Sequence, residues 1–293
     1  MNSDKKISLV LGSGGARGYA HIGVIEELEK MGFEIISISG ASMGALIGGL
    51  YACGKLDLYK EWILGLDAFD IATLLDISWD KRGFIGGTKV LDKLSQIIGS
   101  QKIEDLPIKY TAVATDLTRN KEIWFQKGDL LTAIRASIAI PSFFTPVEQD
   151  DMILVDGGVL NPLPVTPTMS DHSDMTIAVN LYGNIPKPEI ILPQKEREKQ
   201  NYFENILDNF IKKAKNWIEI SDDKKKESYH VFDVIHMTFE SVQNTLIRYR
   251  LAGYSPDLII EISREICGPY DFYKAYEVIE YGRVAAREAF EKR

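Results

Sequence analysis

The chain has 293 residues, 45% hydrophobic and 26% charged, with a formal net charge of -8. This is globular composition with enough apolar surface for one sizeable core, and its acidity argues against general nucleic-acid binding. No apolar run approaches the ~18 to 20 residues of a membrane span.

The N-terminal stretch "MNSDKKISLVLGSGG" has a basic pair but only a short apolar run before its glycines. It reads as a first strand rather than a signal peptide. Cys53 and Cys267 are far apart, form no CxxC, and read as reduced core thiols. A soluble, cytoplasmic protein is the expectation. In "ARGYAHIGVIEELEKMG" the apolar positions Tyr19, Ile22, Ile25, Leu28 and Met31 have helical spacing, and Gly32 is the stop. "FEIISIS" is a second strand and "SMGALIGGLYACG" a second helix. This alternation predicts a parallel sheet with covering helices.

Residues 55–100 read as mostly helical, interrupted by the Gly-rich "DKRGFIGGT". "KYTAVATDL" and "KEIWFQ" are paired strands joined through "TRN". "DLLTAIRASIA" is a short helix ended by Pro141. "MILV" and "MTIAVNLYG" are strands, "PDLIIEI" a last strand, and "DFYKAYEVIEYGRVAAREAF" a last helix. Residues 195–226 hold nine Lys/Arg and seven Asp/Glu, so their charge is nearly balanced. Within them Phe203, Ile206, Leu207, Phe210, Ala214 and Trp217 recur at helical spacing. The expected organisation is one α/β domain over 1–293 with a helical insertion at 195–250. The favoured reading of 200–220 is a packed helix with a solvated charged face; the alternative is a lid or interfacial helix touching lipid.

The second strand runs into "GASMG". Ser42 stands between Gly40 and Gly44 where the strand becomes a helix, the pattern of a nucleophile elbow. Such a corner points Oγ outward, and side chains at the two glycines would collide with neighbouring backbone. The following helix aims free N–H groups and its positive dipole end at the serine. The motif alone is weak, since chance supplies it in roughly one chain in ten of this size. The simpler reading is an N-cap serine. The pair Gly48-Gly49 inside the helix, each costing roughly 1 kcal/mol relative to Ala, suggests close approach of another backbone.

The first strand ends in "GSGGARG". A dinucleotide fingerprint fails because Arg17 stands where its third glycine is needed, and a P-loop fails for want of GK[ST]. Converging N–H groups in such a turn still suit an anion. Beside a serine nucleophile that anion is a tetrahedral oxyanion. Arg17 either fixes this loop or meets substrate charge.

A serine needs a proton acceptor. The four histidines are His21, His172, His230 and His236. The last three satisfy the chain order of an α/β-hydrolase triad, but that fold places several strands before its elbow. His21 reads as structural. The better candidate is "MILVDGGVLNPLP", where a strand delivers Asp156, followed by Gly157, Gly158 and then Asn161. An aspartate near pKa 4 needs burial to serve as base at neutral pH. Its simpler reading is a turn-forming Asp-Gly.

"LGSGGARGYAHIGVIEEL", "GASMG", "ASIAIPSFFTPV" and "LVDGGVLNPLPV", in this order, resemble the patatin-like phospholipases, as does the tail from "PDLIIEI". The resemblance covers most of the chain and is weakest at 55–105 and 185–250. It implies a three-layer α/β/α fold with a mostly parallel sheet. It also implies a metal-independent lipid acyl hydrolase without cofactor, working through a Ser-Asp dyad. By position, Ser42 is then the nucleophile and Asp156 the base. Gly14 and Gly15 lie in the oxyanion loop with Arg17 beside them. The family often has glycine where this chain has Ser13, which implies altered loop detail. The expected partner is a lipid or other acyl-ester substrate, with peripheral membrane contact and no nucleic acid. The rivals are a small-ester or thioester hydrolase on the same fold, a catalytically silent lipid-binding protein, and a true α/β-hydrolase. Oligomeric state is not legible.

Overall fold

A computed structural model describes residues 5–66, 70, 88–141, 144–198, 200, 202 and 231–291. In chain order these form β1 (Lys5–Leu11), α1 (Ala20–Lys30), β2 (Phe33–Ala41), α2 (Met43–Ala52), α3 (Leu56–Gly65), α4 (Thr88–Ile98), β3 (Lys109–Asp116) and β4 (Lys121–Phe125). There follow α5 (Leu130–Ser137), β5 (Val147–Gln149), β6 (Met152–Asp156), β7 (Met175–Gly183), α6 (Val231–Gly253), β8 (Leu258–Ser263) and α7 (Ala275–Glu291). The expected Gly-rich loop at 80–88 lies outside the described residues except for its last position, and so do Phe203 to Trp217.

One sheet has the strand order β5-β6-β3-β2-β1-β7-β8, with β4 also paired to β3. β3, β2, β1, β7 and β8 run parallel. β4, β6 and β5 add an antiparallel flank. The parallel strands are buried on both faces, which is why they read as continuous apolar runs. Alternation along β1 splits the core. Ile7, Leu9 and Leu11 join the large cluster that includes Ile22 and Ile25 of α1, Leu50 of α2, Ile134 of α5 and Val278 of α7. Val10 faces the other way, into a small cluster with Leu163, Val165 and Ile247 of α6. Helices therefore cover both faces in three layers, as the motifs imply.

Differences from the sequence reading are local. The first helix begins at Ala20, because Gly15–Tyr19 form a tight 3-10 turn that brings the glycine loop round. Met31, expected on its apolar face, lies beyond the helix and is 38% exposed. Likewise Phe272–Lys274 form a turn before α7. The short strand β5 had no periodicity to reveal it. Gly48 and Gly49 make room for side chains rather than for backbone. A Cβ at Gly48 would stand 2.6 Å from Ile38 Cγ2, and one at Gly49 2.8 Å from Ile134 Cδ1.

Strand register sets the site. Leu11 of β1 pairs with Gly40 of β2, so the first glycine loop and the serine corner leave neighbouring strands at one level. Ala41 pairs with Val113 of β3, and β6 runs antiparallel on β3's other side, placing Asp156 opposite Ala114. Ser42 and Asp156 thus flank β3 at the same height. This is the rim outside the carboxyl ends of β1 and β2, where open α/β sheets bind ligands.

Candidate active site

Ser42 has φ 56 and ψ -126, a strained region for a residue with a side chain. It sits at the position preceding α2, yet its hydroxyl makes no capping bond to the helix. The hydroxyl is left for other use. Close packing holds the strain in place. A Cβ at Gly40 would stand 2.4 Å from the carbonyl of Gly44, and one at Gly44 would stand 2.0 Å from the carbonyl oxygen of Leu11.

Two contacts from a neighbouring segment complete the corner. The Ser42 N–H donates to Ser137 Oγ at 3.0 Å, and Ser137 donates to the Val113 carbonyl at 2.6 Å. Two residues on, the Ala139 carbonyl accepts the Asp156 N–H at 2.9 Å. The stretch "ASIAI" therefore ties both candidate groups to one support. Nothing in the local pattern of sequence marks Ser137 for this role; its place in a motif was the available signal.

Asp156 is 1% exposed. Its Oδ1 accepts the Gly158 N–H at 2.7 Å, while Oδ2 is buried with no hydrogen-bond partner among the described residues. Burial pushes the carboxyl up to about 7, against the Ser42 hydroxyl and the Gly158 N–H, which pull it down. A Cβ at Gly157 would lie 2.0 Å from the Val113 carbonyl oxygen. Glycine is what lets the turn close on β3. The carboxyl of a plain surface Asp-Gly turn would keep its ordinary value; this one is desolvated and has an open oxygen.

In the glycine loop the N–H groups of Gly12, Ser13 and Ala16 bond to the carbonyls of Val179, Pro162 and Pro269 at 2.8 to 3.1 Å. Those of Gly14 and Gly15 have no acceptor among the described residues. Gly15 has φ +59, and a Cβ there would stand 2.5 Å from the Pro269 carbonyl oxygen. Arg17 contacts the loop itself. It is 3% exposed, donates from Nε to the Gly14 carbonyl at 3.3 Å, lies over the Tyr182 ring and pairs with Glu240. Its charge is internally matched and its hydrogen bond fixes the loop.

His21 packs behind this loop. Its Nε2 lies 2.8 Å from the Gly12 carbonyl and must donate to it, and burial lowers its pKa to about 4. It is a neutral supporting group. His172 is exposed, and His230 and the side chain of His236 lie outside the description. Among the described residues no three His, Cys, Asp or Glu side chains are grouped to hold a metal, and no helix is long and apolar enough to cross a membrane. The cysteines are unpaired.

Ser42, Asp156, Gly14 and Gly15 open on one cavity with about 1120 Å³ of empty space, part of it continuous with solvent. Its walls are largely apolar, with Leu46, Tyr59, Trp62, Ile63, Phe144 and Phe239 among them. That is a hydrophobic slot ending at a hydroxyl and a carboxyl, suited to an acyl chain with a reactive carbonyl at its end.

The strained strand-to-helix corner of Ser42 thus lies across one strand from the buried Asp156 in a mostly parallel α/β sheet. The family model for patatin-like phospholipases matches residues 9–169. The chain is 38% identical to uncharacterised NTE family proteins of Mycobacterium bovis and Mycobacterium tuberculosis, over 99% of its own length and 92% of theirs. It is 31% identical to mouse patatin-like phospholipase domain-containing protein 7, over 62% of this chain and 14% of that protein. Among solved structures it is similar in fold to VipD from Legionella pneumophila, with a TM-score of 0.56 at 14% identity, covering 99% of this chain and 67% of that one. The chain belongs to the patatin-like phospholipase family. At the level of that family it is a lipid hydrolase.

Proposed function

We propose that this chain is a serine-dependent lipid acyl hydrolase that cleaves carboxylic esters through an acyl-enzyme on a Ser42-Asp156 dyad. The carrying observation is the buried Asp156, whose Oδ2 is unpartnered and whose carboxyl lies near neutrality, level with a strained and uncapped Ser42. Ser42 Oγ attacks the ester carbonyl while Asp156 takes its proton. The negative charge that develops on the carbonyl oxygen meets the N–H groups of Gly14 and Gly15, and each such donor is worth roughly 3 to 4 kcal/mol. Asp156 returns the proton to the departing alcohol or lysolipid. Water, activated by the same carboxylate, then hydrolyses the acyl-enzyme. No cofactor enters these steps.

The test is covalent labelling by a fluorophosphonate, with turnover of p-nitrophenyl esters of increasing chain length. Labelling is expected to vanish in Ser42→Ala. Turnover is expected to rise with chain length, as an apolar slot requires, and to extend to phospholipid. A preference for the shortest esters would instead favour the small-ester hydrolase. A folded protein that neither labels nor turns over would be a binding protein, and the proposal would fail.

A second expectation concerns the histidines. A variant with all four replaced, using His21→Gln to keep a donor toward Gly12, is expected to retain labelling and an unchanged pH profile while melting at a lower temperature. Loss of activity in that folded variant would put a histidine back in the mechanism.

A further inference from the structure

Gln243 lies on α6, far in sequence from every motif, and is 2% exposed. Both ends of its amide are used. The Tyr182 hydroxyl donates to Oε1. Nε2 donates to the Gly158 carbonyl at 3.1 Å and to Ser13 Oγ at 3.3 Å. Gly158 is the residue whose N–H grips Asp156, and Ser13 immediately precedes the open N–H of Gly14. One side chain therefore joins the turn that carries the carboxyl to the loop that carries the N–H groups. The fit is close, since a Cβ at Gly158 would stand 2.3 Å from Nε2 and 2.6 Å from Ser13 Oγ.

The same helix stripe is anchored on either side. Glu240 pairs with Arg17, which holds the Gly14 carbonyl. Ile247 is buried in the small core cluster. Arg250 pairs with Glu122 and donates to the Leu160 carbonyl at 3.3 Å. Positions 240, 243, 247 and 250 share one face by helical spacing. Packing alone would be served by leucine at 243. A buried amide costs free energy unless every bond is made, and a fully satisfied one fixes a unique geometry.

We infer that Gln243 is a positioning residue for the ester hydrolysis proposed above, locking the oxyanion loop and the base-bearing turn in mutual register. The inference rests on that reading of the site. Ser13 gains a role: its hydroxyl is the loop's handle for this amide.

The experiment uses the full chain as wild type, Gln243→Leu and Gln243→Glu. Readouts are fluorophosphonate labelling rate, kcat and KM on one ester across pH, and melting temperature. Gln243→Leu is expected to lower kcat by about 10- to 100-fold, the scale of a small misplacement of reacting groups, with KM nearly unchanged. Gln243→Glu sets an acceptor against the Gly158 carbonyl and a negative charge beside the turn. It is expected to lower kcat, and its charge moves the inflection of the pH profile upward by proximity alone, so the distinction from a merely structural role is carried by the fall in kcat at unchanged KM and unchanged folded fraction. This variant also carries the test if the leucine variant does not fold. Wild-type kcat in both variants overturns the inference. So does a raised KM at unchanged kcat, which would make Gln243 a substrate contact. So does activity lost only in step with folded protein. Absence of labelling in the wild type itself would instead overturn the hydrolase reading, and the inference with it.

Discussion

Ser42→Ala is expected to abolish ester turnover, with a loss of about 10⁴-fold or more, and to leave the fold intact. The magnitude follows from removing the attacking atom while binding and oxyanion contacts remain. A companion substitution separates chemistry from strain. Ser42→Gly also removes the hydroxyl, but glycine adopts φ 56 freely where serine does not. Strain of this kind costs about 1 to 3 kcal/mol, and the greater freedom of unfolded glycine offsets roughly 0.5 to 1 kcal/mol of the relief. Ser42→Gly is therefore expected to melt above Ser42→Ala while being equally inactive. Calorimetry of the two variants beside wild type checks it. A Gly variant less stable than Ala would mean the corner is not strained by its side chain. Activity surviving in either would remove Ser42 from the mechanism.

The parts of this molecule legible from sequence are those governed by short-range pattern. β1, β2 and β7 announce themselves because strands buried on both faces must be apolar throughout. The Ser42 corner and the Asp156 turn are legible because each needs glycines at fixed steps, Gly44 and Gly157 for close approach to the backbone of a neighbouring strand. What escaped depends on long-range contact. Ser137 is a serine in an ordinary amphipathic helix until β3 and the Ser42 N–H are brought to it. Gln243 has no neighbour in sequence that explains it; its partners lie 61, 85 and 230 residues away. β5 is three residues long and has no period to detect. The glycine pair in α2 was read through backbone contact and proved to accommodate Ile38, Ile134 and Tyr110 side chains. Periodicity signals that space is needed there, without naming the atoms that need it.

Two glycine turns, one helix stripe and the "ASIAI" segment meet at the same place, and each constrains a different degree of freedom. Ser137 holds the Ser42 backbone and Ala139 the Asp156 backbone. Arg17 holds the Gly14 carbonyl and Gly158 the carboxyl oxygen. Like the N–H groups of Gly14 and Gly15, the buried Asp156 Oδ2 is left open among the described residues. A site assembled for packing alone would have closed it, because an unsatisfied buried carboxyl oxygen is costly.

That cost has a sign, and it gives the second large effect. Burial raises the Asp156 carboxyl from 3.8 to about 7, so the folded state binds its proton more tightly than the unfolded state does. The stability this group contributes is fully present below about pH 4 and is lost as pH rises toward about 7. At pH 8 the folded protein holds a carboxylate whose burial costs up to about 4 kcal/mol, at about 1.4 kcal/mol per tenfold in proton affinity. Activity runs the other way. On the proposed mechanism Asp156 must be ionised to act as base, so kcat/KM is expected to rise about tenfold per pH unit on the acid side and to level off above about pH 7. Asp156→Asn is expected to separate the two. It should lose turnover by about 10³-fold or more. Its stability relative to wild type should grow between about pH 4 and 8 by up to about 4 kcal/mol, the buried amide's own cost being the same at every pH. Denaturant melts of both proteins across that range isolate the one group, since every other titrating residue is common to them. A stability difference independent of pH would mean that Asp156 titrates normally, and an activity profile with its inflection near 4 would agree. The pair of curves, crossing in opposite senses over one pH window, is what a carboxyl kept unstable for use as a base must produce.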